Sequence, residues 1–506
     1  MSISSPIPLK DGLTSAPGTS HFRWELTRYG TIGLIGIVFL ATIRDGHTWG
    51  DDFAQYLKHA ENICHLRPYS DTGYIYNPQN AIIGPRAYPP GFPAALALVS
   101  VICGSTLTVF KIVDVLFFVV ALLIAVRLFS RDLHQRNVLI FLIIVGFSPV
   151  YWEYKDNIAS EHLFMPLWYA TLLVADDWYR QKKVYGSQTL HGALLGLLIF
   201  LTCATRTVGT VLLPTIFVCE ALIARRVTRV GVVAILTSVF LLALQRLVLP
   251  ASGSGYVEQL SGISLKSMAS NAYSDISAFA LIWQNPYWPG VRKLTGLVFV
   301  ILAAVGFLRA NLRQPTSVGI ALAGYFALIV VWPSADGVRM ILPLFPGFLF
   351  YLLIGIGTWR PFQYSANAGS LALLVFSLIS FGAAYSAADF GRLSTGVETP
   401  AAQELFEFIR SQTQPDEGCL FFKPRALALY TGRRSSAFPL GTDERTFWQY
   451  AVDIKSDLII VRADAADQKS DDQTFEMSAS FASPQVKEVF QNSMFHVYRR
   501  TPPTVE

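Results

Sequence analysis

A polytopic α-helical membrane protein of about eleven transmembrane helices, with a small soluble α/β domain at its C-terminal end, is the architecture the sequence predicts. Three observations point there. Apolar residues make up 52% of the 506-residue chain and charged residues only 15%, where a soluble domain averages about 25%. Apolar runs near the ~20 residues needed to cross hydrocarbon recur as far as residue 387. Charge is also unevenly divided: residues 1–387 hold 27 Lys and Arg against 18 Asp and Glu, while residues 388–506 hold 13 against 17. The net +5 therefore conceals two different objects, and neither implies a nucleic-acid partner. Cys64, Cys103, Cys203, Cys219 and Cys419 are scattered, without C-x-x-C or Cys/His ligand spacing, so no disulfide framework or zinc site is indicated.

Residues 1–28 are polar and rich in Ser, Pro and Gly, with no apolar core directly after a basic start; they read as a cytoplasmic segment rather than a cleaved signal. Spans are predicted at 29–44, 108–127, 137–151, 161–178, 190–205, 207–223, 230–249, 293–308, 317–332, 340–358 and 367–387. A further run, 89–104, contains Pro89, Pro90 and Pro93 and suits a re-entrant or surface-lying helix. The distribution of Lys and Arg supports leaving it out. With it omitted, Arg23/Arg28, Arg127/Arg131/Arg136, Arg180/Lys182/Lys183, Arg225/Arg226/Arg229, Arg309/Arg313 and Arg360 all gather on one side, as cytoplasmic loops require. The N-terminus is then cytoplasmic, and the transmembrane domain 29–387 sends its long loops, 45–107 and 250–292, to the opposite face together with the domain 388–506. A bacterial inner membrane, with that domain in the periplasm, is the expected setting. The C-terminal domain reads as helix 401–412, strand 419–422, helix 424–430 closed by Gly432, helix 444–454 and strand 457–461. It has no Gly-rich phosphate loop, no G-x-S-x-G elbow and no metal-ligand cluster, so nothing marks it as the catalytic part.

Charges that the sidedness rule leaves unexplained fall at the non-cytoplasmic face. Asp51 and Asp52 follow the first span and begin an amphipathic helix; a carboxylate pair so near hydrocarbon is costly unless hydrated, paired or functional. Capping of a helix N-terminus accounts for the pair equally well. Arg86-Ala87-Tyr88-Pro89-Pro90-Gly91-Phe92 is an aromatic and proline segment of the kind that anchors at headgroup level, with Arg86 and Tyr88 as candidate substrate contacts. Glu161 opens an otherwise apolar span and Asp156 lies just before it; an ion pair with Lys155 is the structural alternative for Glu161. Arg206 interrupts apolar sequence on the face opposite the other arginine clusters, where a guanidinium suits bidentate contact with phosphate or snorkelling to lipid headgroups. Arg339 has the same status, with Asp336 as a nearby partner. Asp176 and Asp177 sit beside Arg180, and Lys111 and Asp114 have the spacing of a pair on one helix face; His162 and His191 are isolated and receive no role.

The order of acidic pair, Tyr-Pro-Pro-Gly-Phe, Ser160-Glu161-x-x-Phe164, Thr205-Arg206-x-x-Gly209 and Arg339-x-x-Leu342-Pro343-x-x-Pro346 resembles the GT-C superfamily of integral membrane glycosyltransferases over roughly residues 25–390. That superfamily includes the dolichyl-phosphate-mannose protein mannosyltransferases and the lipid A aminoarabinose transferases. The resemblance implies a GT-C-like fold and transfer of a sugar from a polyprenyl-phosphate donor to a glycolipid, glycan or protein acceptor beside membrane lipid, usually with inversion. It places the first-loop acid on Asp51 with Asp52 second, the span-start acid on Glu161, and the phosphate-holding base on Arg206, with Arg339 and Lys266 as further cations for developing charge. Those enzymes hold a metal with an additional first-loop glutamate where this chain has Tyr88; a divalent cation would fall to Asp51 and Glu161.

Two other readings compete. A lipid-linked-oligosaccharide ligase or polymerase would carry larger loops with several arginines on the outer face. A transporter or flippase would place ionisable groups near the bilayer midplane and show inverted repeats.

Overall fold

The computed structural model describes residues 19–250, 263–284, 286–287, 289–332, 337–358, 366–441, 443–463 and 486–500. Asp336, Arg360, most of the start of the loop 250–292 and parts of both terminal regions lie outside the described residues. Helices dominate up to residue 386: α1 (Thr19–Ala41), α2 (Asp51–Cys64), α3 (Gly91–Cys103), α4 (Leu107–Phe129), α5 (Gln135–Gly146), α6 (Pro149–Tyr154), α7 (Glu161–Tyr179), α8 (Gln188–Thr205), α9 (Leu212–Cys219) and α10 (Arg229–Val248). Further helices follow at Leu265–Leu281, Pro289–Asn311, Ser317–Val331, Val338–Ile341, Phe345–Thr358 and Ala366–Ser386.

Among the described residues, six stretches are long and apolar enough to cross a membrane: Leu107–Phe129, Gln188–Thr205, Thr207–Ala224, Arg229–Val248, Lys293–Asn311 and Ala368–Ser386. The remaining predicted spans also fold as helices, but shorter or more charged ones. Among these, α7 is enclosed on all sides, with Phe164, Trp168, Tyr169 and Leu172 buried. A helix apolar all round packs inside a bundle rather than against one neighbour. Outward-facing residues such as Leu236, Val239, Phe240, Leu247 and Ile301 are exposed, an apolar surface that suits lipid.

Arg131 pairs with Asp177 at 2.5 Å, and Arg180 pairs with Asp176 and Asp132 at 2.8 and 2.6 Å, as the sequence suggested for the Asp176/Arg180 end. The expected Lys111–Asp114 pair does not form. Lys111 instead donates to the carbonyls of Arg44 and Gly46, while Asp114 receives the Ala159 amide; both ends of the supposed pair are used to fix loops. The run 89–104 becomes α3, only 13 residues long, lying against α2 rather than forming one of the six long apolar stretches.

After residue 386 come the helix Pro400–Gln412, capped by Thr399, and the helices Pro424–Thr431 and Glu444–Asp453. They accompany a six-stranded sheet of order β1-β3-β2-β4-β6-β5, formed by β1 (Tyr74–Ile75), β2 (Gly418–Leu420), β3 (Arg434–Ser436), β4 (Ser456–Arg462), β5 (Val486–Gln491) and β6 (Phe495–Arg500). The first four strands in that order are parallel and the last two join antiparallel. The near-continuous burial of β4 fits a strand covered on both faces. Its edge strand β1 is a piece of the first long loop, 74–75, pairing with Ser435 and Ser436, so the sheet is completed by a segment far upstream of its other strands. Asn77 and Asn80 add side-chain hydrogen bonds to the carbonyls of Ala437 and Phe438 at 3.0 and 2.8 Å.

Candidate active site

Four segments distant in sequence meet around a cavity of about 510 Å³. The start of α2 supplies Asp51 and Asp52, Ser160 at the start of α7 and Arg206 at the end of α8 line the wall, and the short helix Val338–Ile341 supplies Arg339, with Glu161 buried behind the two arginines.

Local backbone requirements explain two of the sequence motifs. Arg206 is extended, at φ −146° and ψ 137°, and separates α8 from the 3-10 turn Thr207–Val211, so the chain folds back directly after the guanidinium. Gly209 allows that return: a Cβ there would lie 2.9 Å from the Thr202 carbonyl group. Gly91, in Tyr-Pro-Pro-Gly-Phe, brings the start of α3 against the end of α8, where a Cβ would lie 2.8 Å from the Ala204 carbonyl oxygen. Both glycines act by close approach of backbone.

Asp52 divides its oxygens between two sides of the cavity. Oδ1 accepts from the Tyr88 hydroxyl and from Arg425 Nη1 at 2.9 Å, while Oδ2 is bound by Arg339 Nη1. Arg339 also donates from Nε to Glu161, bridging the two acids. Glu161 is fully buried and its Oε1 lies 2.5 Å from Arg206 Nη1, which also donates to Ser160 Oγ at 3.0 Å. Tyr56 and Ser160 exchange a hydroxyl hydrogen bond of 3.0 Å beneath this pair. Charged groups removed from water are stable only with such partners.

Asp51 has a different environment. Its Oδ1 accepts the backbone N–H groups of Arg425 and Ala426 at 3.0 and 3.1 Å, at the start of the helix Pro424–Thr431, so it satisfies two orphan donors of a helix from another part of the chain. Its Oδ2 accepts no hydrogen bond and has Arg425 Nε 3.6 Å away. Burial pushes the Asp51 carboxyl up to about 6, against the opposing pull of Arg425 and Lys423. For Asp52, burial acts in the same direction but Arg339 and Arg425 outweigh it, and the carboxyl is held well below the usual carboxylate range. Two neighbouring acids thus have opposite proton affinities.

The structure brings Asp51, Asp52, Tyr88, Glu161, Arg206 and Arg339 together and leaves the other three candidates apart. Asp156 binds the Arg44 backbone amide at 3.0 Å, Arg44 Nε at 2.7 Å and Lys155 Nζ at 2.8 Å, tying the first loop to the segment before α7. The Lys155 partner considered for Glu161 therefore belongs to Asp156. His47 reinforces this tie by accepting the Ile158 amide at 3.1 Å. Arg86 is exposed and stacks over the Tyr76 ring at 5.2 Å. Lys266 is exposed near the start of the helix Leu265–Leu281 and does not line the cavity.

The residue that sequence reasoning missed is Arg425, with Lys423 beside it on the cavity wall. A signal was present: two basic residues at a helix start oppose the favoured placement of acids there, which implies that an acid arrives from elsewhere. The donor set does not fit a divalent cation. Both Asp52 oxygens and Glu161 Oε1 face guanidinium or phenol donors, Asp51 Oδ1 is bound by two amides, and His47 is committed to Ile158. Among the described residues no group of three or more His, Cys, Asp or Glu is arranged to hold a metal.

Comparison with known proteins bears on the fold. No family model and no curated protein matches the chain. Among solved structures, ArnT from Cupriavidus metallidurans bound to undecaprenyl phosphate is similar with a TM-score of 0.56 at 12% identity, over 95% of this chain and 98% of that one. The archaeal oligosaccharyltransferase AglB from Archaeoglobus fulgidus, in complex with an inhibitory peptide and a dolichol-phosphate, is similar with a TM-score of 0.55 at 10% identity, over 87% of this chain and 69% of that one. At these identities the likeness is one of fold, and it extends over most of this chain.

Proposed function

We propose that this chain transfers a sugar from a polyprenyl-phosphate donor to a hydroxyl of a lipid, glycan or protein acceptor, with inversion at the anomeric carbon. The observation that carries this reading is the cavity itself: an acidic pair with opposed proton affinities faces a cluster of guanidinium groups, Arg206 and Arg339, with Lys423 on the same wall. The acceptor oxygen attacks the anomeric carbon and its proton passes to Asp51 Oδ2. The bond from that carbon to the phosphate oxygen breaks, and polyprenyl phosphate leaves with the electron pair, its charge met by Arg206 and Arg339. Asp52 stays ionised and keeps Arg339 in place. Glu161 does the same for Arg206 and Arg339. The lipid ligands named for the ArnT and AglB structures support a donor of this class.

The proposal includes the topology read from charge: eleven spans, a cytoplasmic N-terminus, and the cavity with residues 388–506 on the periplasmic side of a bacterial inner membrane. Engagement of Asp52 and Glu161 by arginines favours a phosphate monoester over a metal-bound diphosphate donor, which weighs against the ligase or polymerase reading.

Assay of transfer from a defined polyprenyl-phosphate sugar tests the reading. Asp51→Asn, Glu161→Gln and Arg206→Ala are each expected to lower transfer by about 100-fold or more while folded protein persists in membranes. Full activity in all three would refute the site. The glycolipid profile of a deletion strain identifies sugar and acceptor together.

A further inference from the structure

We propose that Arg425 is a positioning residue of this site, supplied by the C-terminal region, and that it sets the orientation of both Asp51 and Asp52. This inference rests on the catalytic reading above but goes beyond it, because it makes the region after residue 386 a working part of the site.

Arg425 is 2% exposed, among the largest fully buried side chains. Both terminal nitrogens of its guanidinium are hydrogen-bonded. Nη1 donates to Asp52 Oδ1 at 2.9 Å and to the Tyr88 hydroxyl at 2.7 Å, Nη2 donates to the Pro85 carbonyl at 3.3 Å, and Nε stands 3.6 Å from Asp51 Oδ2. Its plane lies over the rings of Tyr74 and Tyr88 at 4.7 and 5.0 Å. A planar fork can hold two carboxylates and a phenol in one fixed relation; an ammonium on a flexible stem cannot. Its own backbone amide binds Asp51 Oδ1, so the same residue grips Asp51 from two directions. Arg339 holds the opposite oxygen of Asp52 and is 27% exposed in its side chain, so it is the partner open to exchange with a phosphate. Arg425 has no such access and keeps Asp52 in place while Arg339 changes partners.

The test compares Arg425→Gln and Arg425→Lys with Arg433→Gln in the full-length chain. Arg433 bonds to Thr413 and the Arg410 carbonyl within the C-terminal region, away from the cavity, and controls for loss of packing there. Two readouts are followed: the pH profile of kcat/KM with a polyprenyl-phosphate sugar, and the pH midpoint of carbodiimide labelling at Asp51, read by peptide mass spectrometry without any donor. Loss of the Arg425 charge is expected to move both midpoints to higher pH by about one unit or more, since an adjacent opposite charge lowers a carboxyl by ~1–3 units. Arg425→Lys is expected to restore the midpoints in part but not kcat, and Arg433→Gln to move neither. Arg425→Gln with both midpoints at the wild-type position overturns the inference, even where yield falls. A labelling shift in Arg425→Gln, where the wild-type protein itself transfers no sugar, refutes the catalytic reading and leaves the positioning role standing.

Discussion

Asp51 and Asp52 are adjacent and chemically identical, yet their surroundings give them different work. Asp51 is pushed up to about 6 by burial, so as a base it is competent only above that value, and kcat/KM is expected to rise with an acid limb near pH 6. A limb near the ordinary carboxylate value of about 4 would show that another group takes the proton. Asp52→Asn removes the anion that Arg339 and Arg425 share; it is expected to lower kcat without abolishing the limb. Arg206→Ala removes a charge-assisted contact, and affinity for a polyprenyl phosphate is expected to fall by about 10- to 100-fold in a direct binding titration, the effect of ~1.5–3 kcal/mol. Asp51, Glu161 and Arg206 were legible in the sequence because an ionisable group beside apolar sequence is expensive. Two partners of Arg339 were not legible: it reaches Asp52 and Glu161, 287 and 178 residues away, while the nearby Asp336 lies outside the described residues.

At the scale of elements, the site depends on where helices stop. The extended Arg206 and the return turn after it require Gly209, and the fit of α3 against the end of α8 requires Gly91. Gly209→Ala is expected to cost about 1–3 kcal/mol, seen as a lower thermal midpoint in detergent together with weaker phosphate binding. An unchanged midpoint would mean that the turn tolerates a side chain. The N-terminus of the helix Pro424–Thr431 is likewise incomplete by itself and closes on Asp51. Periodicity located this helix to within a residue, because its apolar face is local information; the acid that meets its amides is not.

At the scale of the molecule, β1 and the Asp51–Arg425 contact stitch the first long loop to the C-terminal region. Truncation after residue 387 is expected to leave the loop segment 66–90 open to protease in membrane vesicles and to abolish transfer. Cysteine labelling from the outer face is expected to reach introduced cysteines at positions 52 and 423 alike. Reaction of those two positions from opposite sides of the bilayer would contradict the topology.

Hydrophobic patterning and charge asymmetry by themselves determined that the chain is helical and built for a membrane, that its last hundred or so residues differ in kind, and which isolated charges carry a solvation penalty. Each of these is a property of a short window of sequence or of its composition. Tertiary structure alone decided which charges share a cavity, which acid is held ionised and which is raised, and that the C-terminal region reaches into the site through Arg425. The reason is physical: burial and charge pairing are set by groups brought together from distant parts of the chain, and no local pattern encodes their distance.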